Sequence, residues 1–232
     1  MLLRHLPLPG LTRYAVAGQL QDSFVASFLA HKASPTTAPA PSPTIITAQF
    51  HPVYTCGRRE IGTTTPAQQA YLRSSGADFH ESLRGGQTTF HGPGQLVAYP
   101  IVDLRRHGLT PRSYVCLLEK SIIRVCKRYG LSTMTTEDPG VWVTPESKIA
   151  ALGVHLRRNV ASHGIGLNVS TDLRWFERIV ACGLEGKRTT SLEGEGVRGL
   201  EVDEVGKAFV EEITAGLEGV DGIERIEEFH TG

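Results

Sequence analysis

No apolar run in this 232-residue chain approaches the roughly 18 residues that a membrane-spanning helix needs, so no transmembrane helix is expected. Residues 1–9 hold an apolar stretch broken by Arg4 and His5, too short for a secretory signal. Cysteine is scarce: Cys56, Cys116, Cys126 and Cys182 form no CxxC pair and share no metal-ligand spacing with histidine, so no metal is expected. Without an export signal the thiols are expected to be free, which leaves one of them available as a nucleophile. Basic residues interleaved with aromatics are absent, so a polynucleotide ranks last among anionic partners. There is no internal repeat and no second domain boundary, and residues 1–232 are expected to form a single domain. No Asn or Asp clearly partners a histidine near Cys182, which argues against a cysteine hydrolase.

Charge is balanced overall but not along the chain. Residues 1–192 hold 21 Lys and Arg against 12 Asp and Glu, whereas residues 193–232 hold 3 against 12. A body of charge +9 with a tail of −9 suits an anionic partner such as a phosphate or an acidic protein surface. The alternative is that the two parts attract one another within the fold.

Apolar spacing at Ala17, Leu20, Phe24 and Phe28 predicts a helix over 14–32. Arg4 and Arg13 precede the first acid, Asp22, so the start of the chain also has the composition of a weak mitochondrial presequence. Residues 34–44, SPTTAPAPSPT, are expected as an exposed extended loop. Strands are predicted over 44–51, 77–83, 95–102, 141–144, 148–156 and 164–169. Thr65-Pro66 and Thr110-Pro111 each open a helix, the second running to Gly130 with Tyr114, Leu117, Leu118, Ile122, Val125 and Tyr129 as its buried stripe. Cys116 and Cys126 sit on that helix as core or flank residues. A turn or short helix follows Asp172, a mobile glycine-rich loop spans 183–199, and a last amphipathic helix covers 201–217. Strands in the middle with helices around them predict an α/β (α+β) fold with a mixed sheet.

Chemistry concentrates in residues 84–95, RGGQTTFHGPGQ, where four glycines and a proline surround Arg84 and His91 between two strands. Such a segment lets backbone approach a ligand closely. Arg84 either clamps a phosphate or packs against a loop carbonyl. His91 and His163, each followed by glycine, either bond a ligand or backbone, or are structural. Cys182, in VACG at the edge of a flexible loop, is the best nucleophile, and a thiolate at neutral pH needs a cation or dipole beside it. Lys148, at the entry of the apolar strand KIAALGV, is either a solvated strand end or a partly buried base. The 34 residues between them leave this open.

Four pieces in order, RGGQTTFHGPGQLVAYPIVDL, SKIAALGVHLRR, HGIGLNV and ACG followed by TTSL, closely resemble the octanoyl-acyl-carrier-protein:protein N-octanoyltransferases. The likeness extends over residues 14–217, and the proline-rich run 34–44 stands as an insertion relative to bacterial members. It implies the mixed-sheet fold of biotin and lipoate protein ligases. It also implies that Cys182 takes octanoyl as a thioester and that Lys148 lowers the thiol's pKa. Arg84, Gly85, Gly86, Gln87, Thr88, Thr89, Phe90 and His91 are then expected to cradle the acyl-phosphopantetheine end. Ala151, Leu152, Gly153, His163, Gly164, Ile165 and Gly166 are expected to wall an acyl tunnel. The implied donor is an octanoyl-acyl carrier protein, with no ATP or metal. The implied acceptors are lipoyl domains of 2-oxoacid dehydrogenase complexes and the glycine cleavage H protein. No nucleic acid or membrane is expected as a partner, and the expected compartment is the mitochondrion or, alternatively, the bacterial cytoplasm. Rivals are an ATP-dependent lipoate or biotin ligase, a non-catalytic binding module for the carrier or lipoyl domain, and an amidotransferase between lipoyl domains.

Overall fold

The structure, a computed structural model, describes residues 1–34, 39–180 and 186–227. Cys182, with Ala181 and Gly183 beside it, and residues 35–38 of the proline-rich run lie outside the described residues.

Strand β1 (Leu2–Thr12) is followed by helix α1 (Tyr14–Ala33), β2 (Thr44–Phe50) and β3 (Val53–Cys56). Then come α2 (Pro66–Arg73), β4 (Asp78–Glu81), β5 (Thr89–His91) and β6 (Gln95–Ile101). Helix α3 (Pro111–Arg128) leads into β7 (Val141–Thr144), β8 (Ser147–Arg157) and β9 (Val160–Asn168). The short β10 (Arg188–Thr189), α4 (Val202–Thr214) and β11 (Gly222–Arg225) come last. Both Thr-Pro pairs open helices as expected. Thr65 and Thr110 accept from the backbone N–H of Gln68 and Ser113, and each partner's side chain reaches back, closing two capping boxes.

Among the described residues eight strands form one mixed sheet, ordered β10-β8-β9-β6-β2-β1-β11 with β7 on β8. Its alternation sorts side chains onto two faces. Leu96 and Ala98 of β6 pack with α3 and α4, while Val97, Tyr99 and Ile101 of the same strand pack with α1. A smaller sheet, β4-β3-β5, is covered by α2 and the 3-10 turn Leu173–Arg178. Its β5 arises directly from the glycine loop, so one end of that loop is fixed in a sheet.

Residues 2–12 form β1, lying parallel between β2 and β11. Leu3, Leu6 and Leu8 are buried there, and the partners that make this a strand lie far away in sequence. The acidic tail is partly neutralised inside the fold. Glu211 and Glu212 of α4 bind Arg124 and Arg128 of α3 at 2.6 Å, and Asp221 and Glu224 pair with the N-terminal amine and Arg4.

Candidate functional site

On the α1 face of the large sheet a cavity of about 480 Å³ opens beneath the glycine loop. The register of β8 and β9 sets Ala151 against Gly166, Leu152 against Ile165 and Gly153 against Gly164, and all six line the cavity. The loop closes on this floor at one point. The Gly85 N–H donates to the Val154 carbonyl at 3.0 Å. A β-carbon on Gly153 would stand 2.9 Å from the Gly85 oxygen and 3.0 Å from Arg84 Cδ, so the close approach depends on a bare Cα there.

Arg84 is buried, and its guanidinium is engaged by the loop itself. Nη1 donates to the Gly85 carbonyl at 3.0 Å, and Nη2 donates to the Thr55 carbonyl at 2.6 Å and to Gln87 O at 3.0 Å. The Thr55 hydroxyl accepts as well, from Nη2 at 2.8 Å. Of the two roles weighed for this arginine, packing against loop carbonyls is the one the geometry displays. No described carboxylate pairs with it, so its charge still acts on the cavity that it lines.

Strand alternation divides the rest of the motif. Gln87, Thr89 and His91 line the cavity. Thr88 and Phe90 do not: the Thr88 hydroxyl donates to Glu60 Oε2 at 2.7 Å, and Phe90 stacks on Trp175 with ring centroids 5.0 Å apart. Consecutive strand residues point to opposite faces, so a motif running through β5 cannot place all of its side chains at one ligand.

Two histidines stand at the buried end of the cavity. His91 Nδ1 lies 2.7 Å from Gln95 Oε1, while Gln95 Nε2 donates to Asn168 Oδ1 at 2.9 Å and Asn168 Nδ2 donates to Thr190 O at 2.9 Å. Because Gln95 spends its amide hydrogens elsewhere, its oxygen accepts, and His91 carries its proton on Nδ1. Burial, helped by the Arg84 charge, lowers the His91 pKa to about 4, so the ring is neutral at physiological pH. His163 has φ +55°, which interrupts the alternation of β9 and turns its ring against Tyr99 and Gln21. Gln21 Oε1 accepts from the His163 backbone N–H, so Gln21 Nε2 is the donor to His163 Nε2 at 3.4 Å. The His163 proton is thereby assigned to Nδ1, a buried atom with no hydrogen-bond partner among the described residues. Burial holds this ring's pKa at about 3, again neutral. Left-handed φ at a histidine and an unpaired buried donor are the kind of local cost that accumulates at functional sites.

Lys148 lies at the opposite, open end with Val115, Asp138 and Pro139. Its Nζ donates to the Pro139 carbonyl at 3.0 Å and sits 4.5 Å from the centre of the Trp142 ring, a cation–π distance. Gly140, at φ +135°, lets the Asp138-Pro139-Gly140 turn fold over this lysine, since a β-carbon there would come within 3.1 Å of Lys148 Cε. The side chain is half buried and held by these two contacts. The thiol segment is bracketed by described residues. The chain is described up to Val180, and from Gly186 it runs into β10, whose Thr189 pairs with Lys148. Cys182 itself falls outside the described residues.

Arg59, Val115, Asp138 and Pro139, outside the motif stretches, also line the cavity, as do Tyr99 and Val154 within them. The Asp-Pro-Gly turn signal before β7 is the one clue to the Lys148 cover. Among the described residues Arg58, Arg59, Arg178 and Lys187 make no ion pair, in contrast to the α3 arginines. No group of three His, Cys, Asp or Glu side chains among the described residues is arranged to hold a metal ion.

The chain is similar to known proteins in sequence and in fold. The family described as "Lipoyl protein ligase A/B catalytic domain" matches residues 14–214. The Schizosaccharomyces pombe protein named "Probable octanoyltransferase" is 53% identical over 190 residues, covering 81% of this chain and 83% of that protein. The mitochondrial octanoyl-[acyl-carrier-protein]:protein N-octanoyltransferase LIPT2 of Danio rerio is 44% identical over 171 residues, 74% of this chain and 75% of its own. Among solved structures, lipoate-protein ligase A bound with ATP superposes with a TM-score of 0.69 at 16% identity, over 100% of this chain and 90% of that one. At that identity the likeness concerns the fold, a mixed sheet with flanking helices. The chain belongs to the lipoyl protein ligase A/B catalytic-domain family and, within it, to the octanoyltransferases, which are acyltransferases.

Proposed function

We propose that the protein moves an octanoyl group from an acyl carrier protein to a lysine of a lipoyl domain, by way of a thioester on Cys182. The carrying observation is a single cavity with small residues on its floor, neutral buried rings at its closed end and a fixed ammonium, Lys148, at its open end. An aliphatic chain fits the space between, with its carbonyl towards Lys148. The thiol segment is tethered on one side to β10, beside that lysine.

In the first step the Cys182 thiolate attacks the donor's thioester carbon. The tetrahedral intermediate then collapses with loss of the carrier's thiolate, which takes a proton from the Lys148 ammonium. One thioester replaces another, so the step is nearly isoenergetic, and its barrier falls when the thiolate is pre-formed. In the second step an acceptor lysine amine attacks the enzyme thioester, Lys148 takes the amine's proton, and Cys182 leaves as thiolate. Proton transfer of this kind typically contributes about 10²–10⁴ in rate. Conversion of thioester to amide is downhill, so the transfer is written without ATP or metal. The exposed arginines and lysines near the mouth, Arg58, Arg59 and Lys187, suit acidic protein partners. We assign the acceptors to the lipoyl domains of 2-oxoacid dehydrogenase complexes and the glycine cleavage H protein, and the compartment to the mitochondrion, as for the Danio rerio relative.

The test is transfer from purified octanoyl-carrier protein to a lipoyl domain with ATP omitted. Product formation that disappears in Cys182→Ser is expected. Transfer that needs ATP and survives Cys182→Ser assigns the protein instead to an adenylating ligase, and an octanoylated lipoyl domain serving better as donor assigns it to an amidotransferase.

A further inference from the structure

A second cavity, also about 480 Å³, lies on the other side of the glycine loop. The two share Gln87 as a common wall, and adjacent residues Arg59 and Glu60 face one cavity each. The first is floored by β8 and β9. The second lies over α2 and is lined by Thr63, Thr64, Gln68, Thr88 and Arg178, with Ile179 and Val180 along the same side. Its character differs: hydroxyls, amides and a guanidinium stand beside Tyr71, Leu72, Ile179 and Val180 in place of the glycine floor. Arg178 holds its guanidinium 5.6 Å from the Tyr71 ring centre and makes no ion pair with any described residue. The Glu60 carboxylate is already engaged by the Thr88 hydroxyl at 2.7 Å.

We propose that this second cavity holds the phosphopantetheine arm of the donor, with Arg178 binding its phosphodiester. The proposal rests on the octanoyl-carrier reading above and adds the site for the non-reacting part of that substrate. The arm is a long, flexible chain with two amides, a hydroxyl and a terminal phosphodiester, joined through sulfur to an aliphatic acyl group. Such a molecule needs a polar groove beside an apolar one, and the two cavities that share Gln87 as a wall have that arrangement. A guanidinium with no carboxylate partner is suited to a phosphate, which it can bind through two parallel N–H donors. Val180, which lines this groove, stands two residues before Cys182 in the chain.

The experiment compares self-acylation of the full chain, read by intact mass, from two donors that differ only in the arm. One is octanoyl-4′-phosphopantetheine and the other is octanoyl-N-acetylcysteamine, which lacks the phosphate and most of the chain. Arg178→Gln is expected to lower kcat/KM for the phosphorylated donor about 3- to 10-fold, as for an exposed charge pair with good geometry. It should leave the truncated donor unchanged. Thr64→Trp, in an exposed loop, is expected to fill the groove and act in the same selective way. Equal effects on both donors, or none on either, overturn the proposal. Variants that acylate normally but slow delivery to the lipoyl domain also overturn it, because the groove would then belong to the acceptor. Failure of the unmodified protein to acylate from either donor removes the parent reading itself, a distinct outcome.

Discussion

Gly153→Ala and Gly85→Ala, a pair of one-methyl changes, separate the two glycines on which the loop-on-strand contact depends. A β-carbon at Gly153 meets two atoms at or inside 3.0 Å, one of them the Gly85 backbone oxygen, which has no rotamer to escape into. Overpacking of this kind costs about 1–3 kcal/mol. Displacing the loop also loosens the Gly85 N–H to Val154 bond, at about 0.5–1.5 kcal/mol. Reduced freedom of the unfolded chain offsets about 0.4–1 kcal/mol. The net for Gly153→Ala is therefore a loss of about 2 kcal/mol, with a raised KM for the octanoyl donor because Arg84 and the loop move together. At Gly85 the added carbon meets only Val154 O at 3.5 Å, an ordinary contact, so stability should change by less than about 0.5 kcal/mol. Urea midpoints at constant m-value and acylation kinetics read both effects. Gly85→Ala proving the more damaging of the two would refute the geometry.

Gln95→Leu strands His91 Nδ1–H and Asn168 Oδ1 in a buried site, and about 2–5 kcal/mol of stability should be lost by chemical denaturation. His5, His91 and His163 are held neutral by burial, at about 4, 4 and 3, all below the ordinary 6.5. The unfolded chain therefore binds protons first. Stability from these groups is complete above about pH 6.5 and falls as pH drops towards 4, by up to about 1.4 kcal/mol per histidine per pH unit. Flat urea midpoints between pH 7 and 4.5 would contradict their burial. Lys148→Met removes an ammonium that donates to the Pro139 carbonyl and sits over the Trp142 ring, two contacts worth about 1–2 kcal/mol together. The pH midpoint for alkylation of Cys182 should meanwhile rise to or above the free-thiol value of about 8.5, and an unmoved midpoint would remove the lysine's proposed role.

Much of the fold was legible because its signals are local. Thr65-Pro66 and Thr110-Pro111 mark helix starts by capping chemistry that needs no partner, and residues 141–144 have the β-branched and aromatic composition of a strand. What escaped was non-local. Residues 2–12 become a strand only because β2 and β11 flank them, and the three-residue β5 and two-residue β10 are too short for any period to register. The site shows the same division. Lys148, the glycine loop and the facing ALG and GIG runs gather at one cavity as the motifs imply. Tyr99 and Pro139 reach it by tertiary packing, and Thr88 and Phe90 leave it through strand alternation. Thr55, a residue 29 positions away, supplies both a carbonyl and a hydroxyl to the Arg84 guanidinium, a contact that no local signal announces.

The most direct measurement is the intact mass of the protein after brief incubation with octanoyl-carrier protein, followed by peptide mapping with and without hydroxylamine. The expected result is one added octanoyl group, confined to Cys182 and released by hydroxylamine. An adduct on another residue, one that resists hydroxylamine, or transfer to the lipoyl domain with no adduct formed would contradict covalent transfer through that thiol.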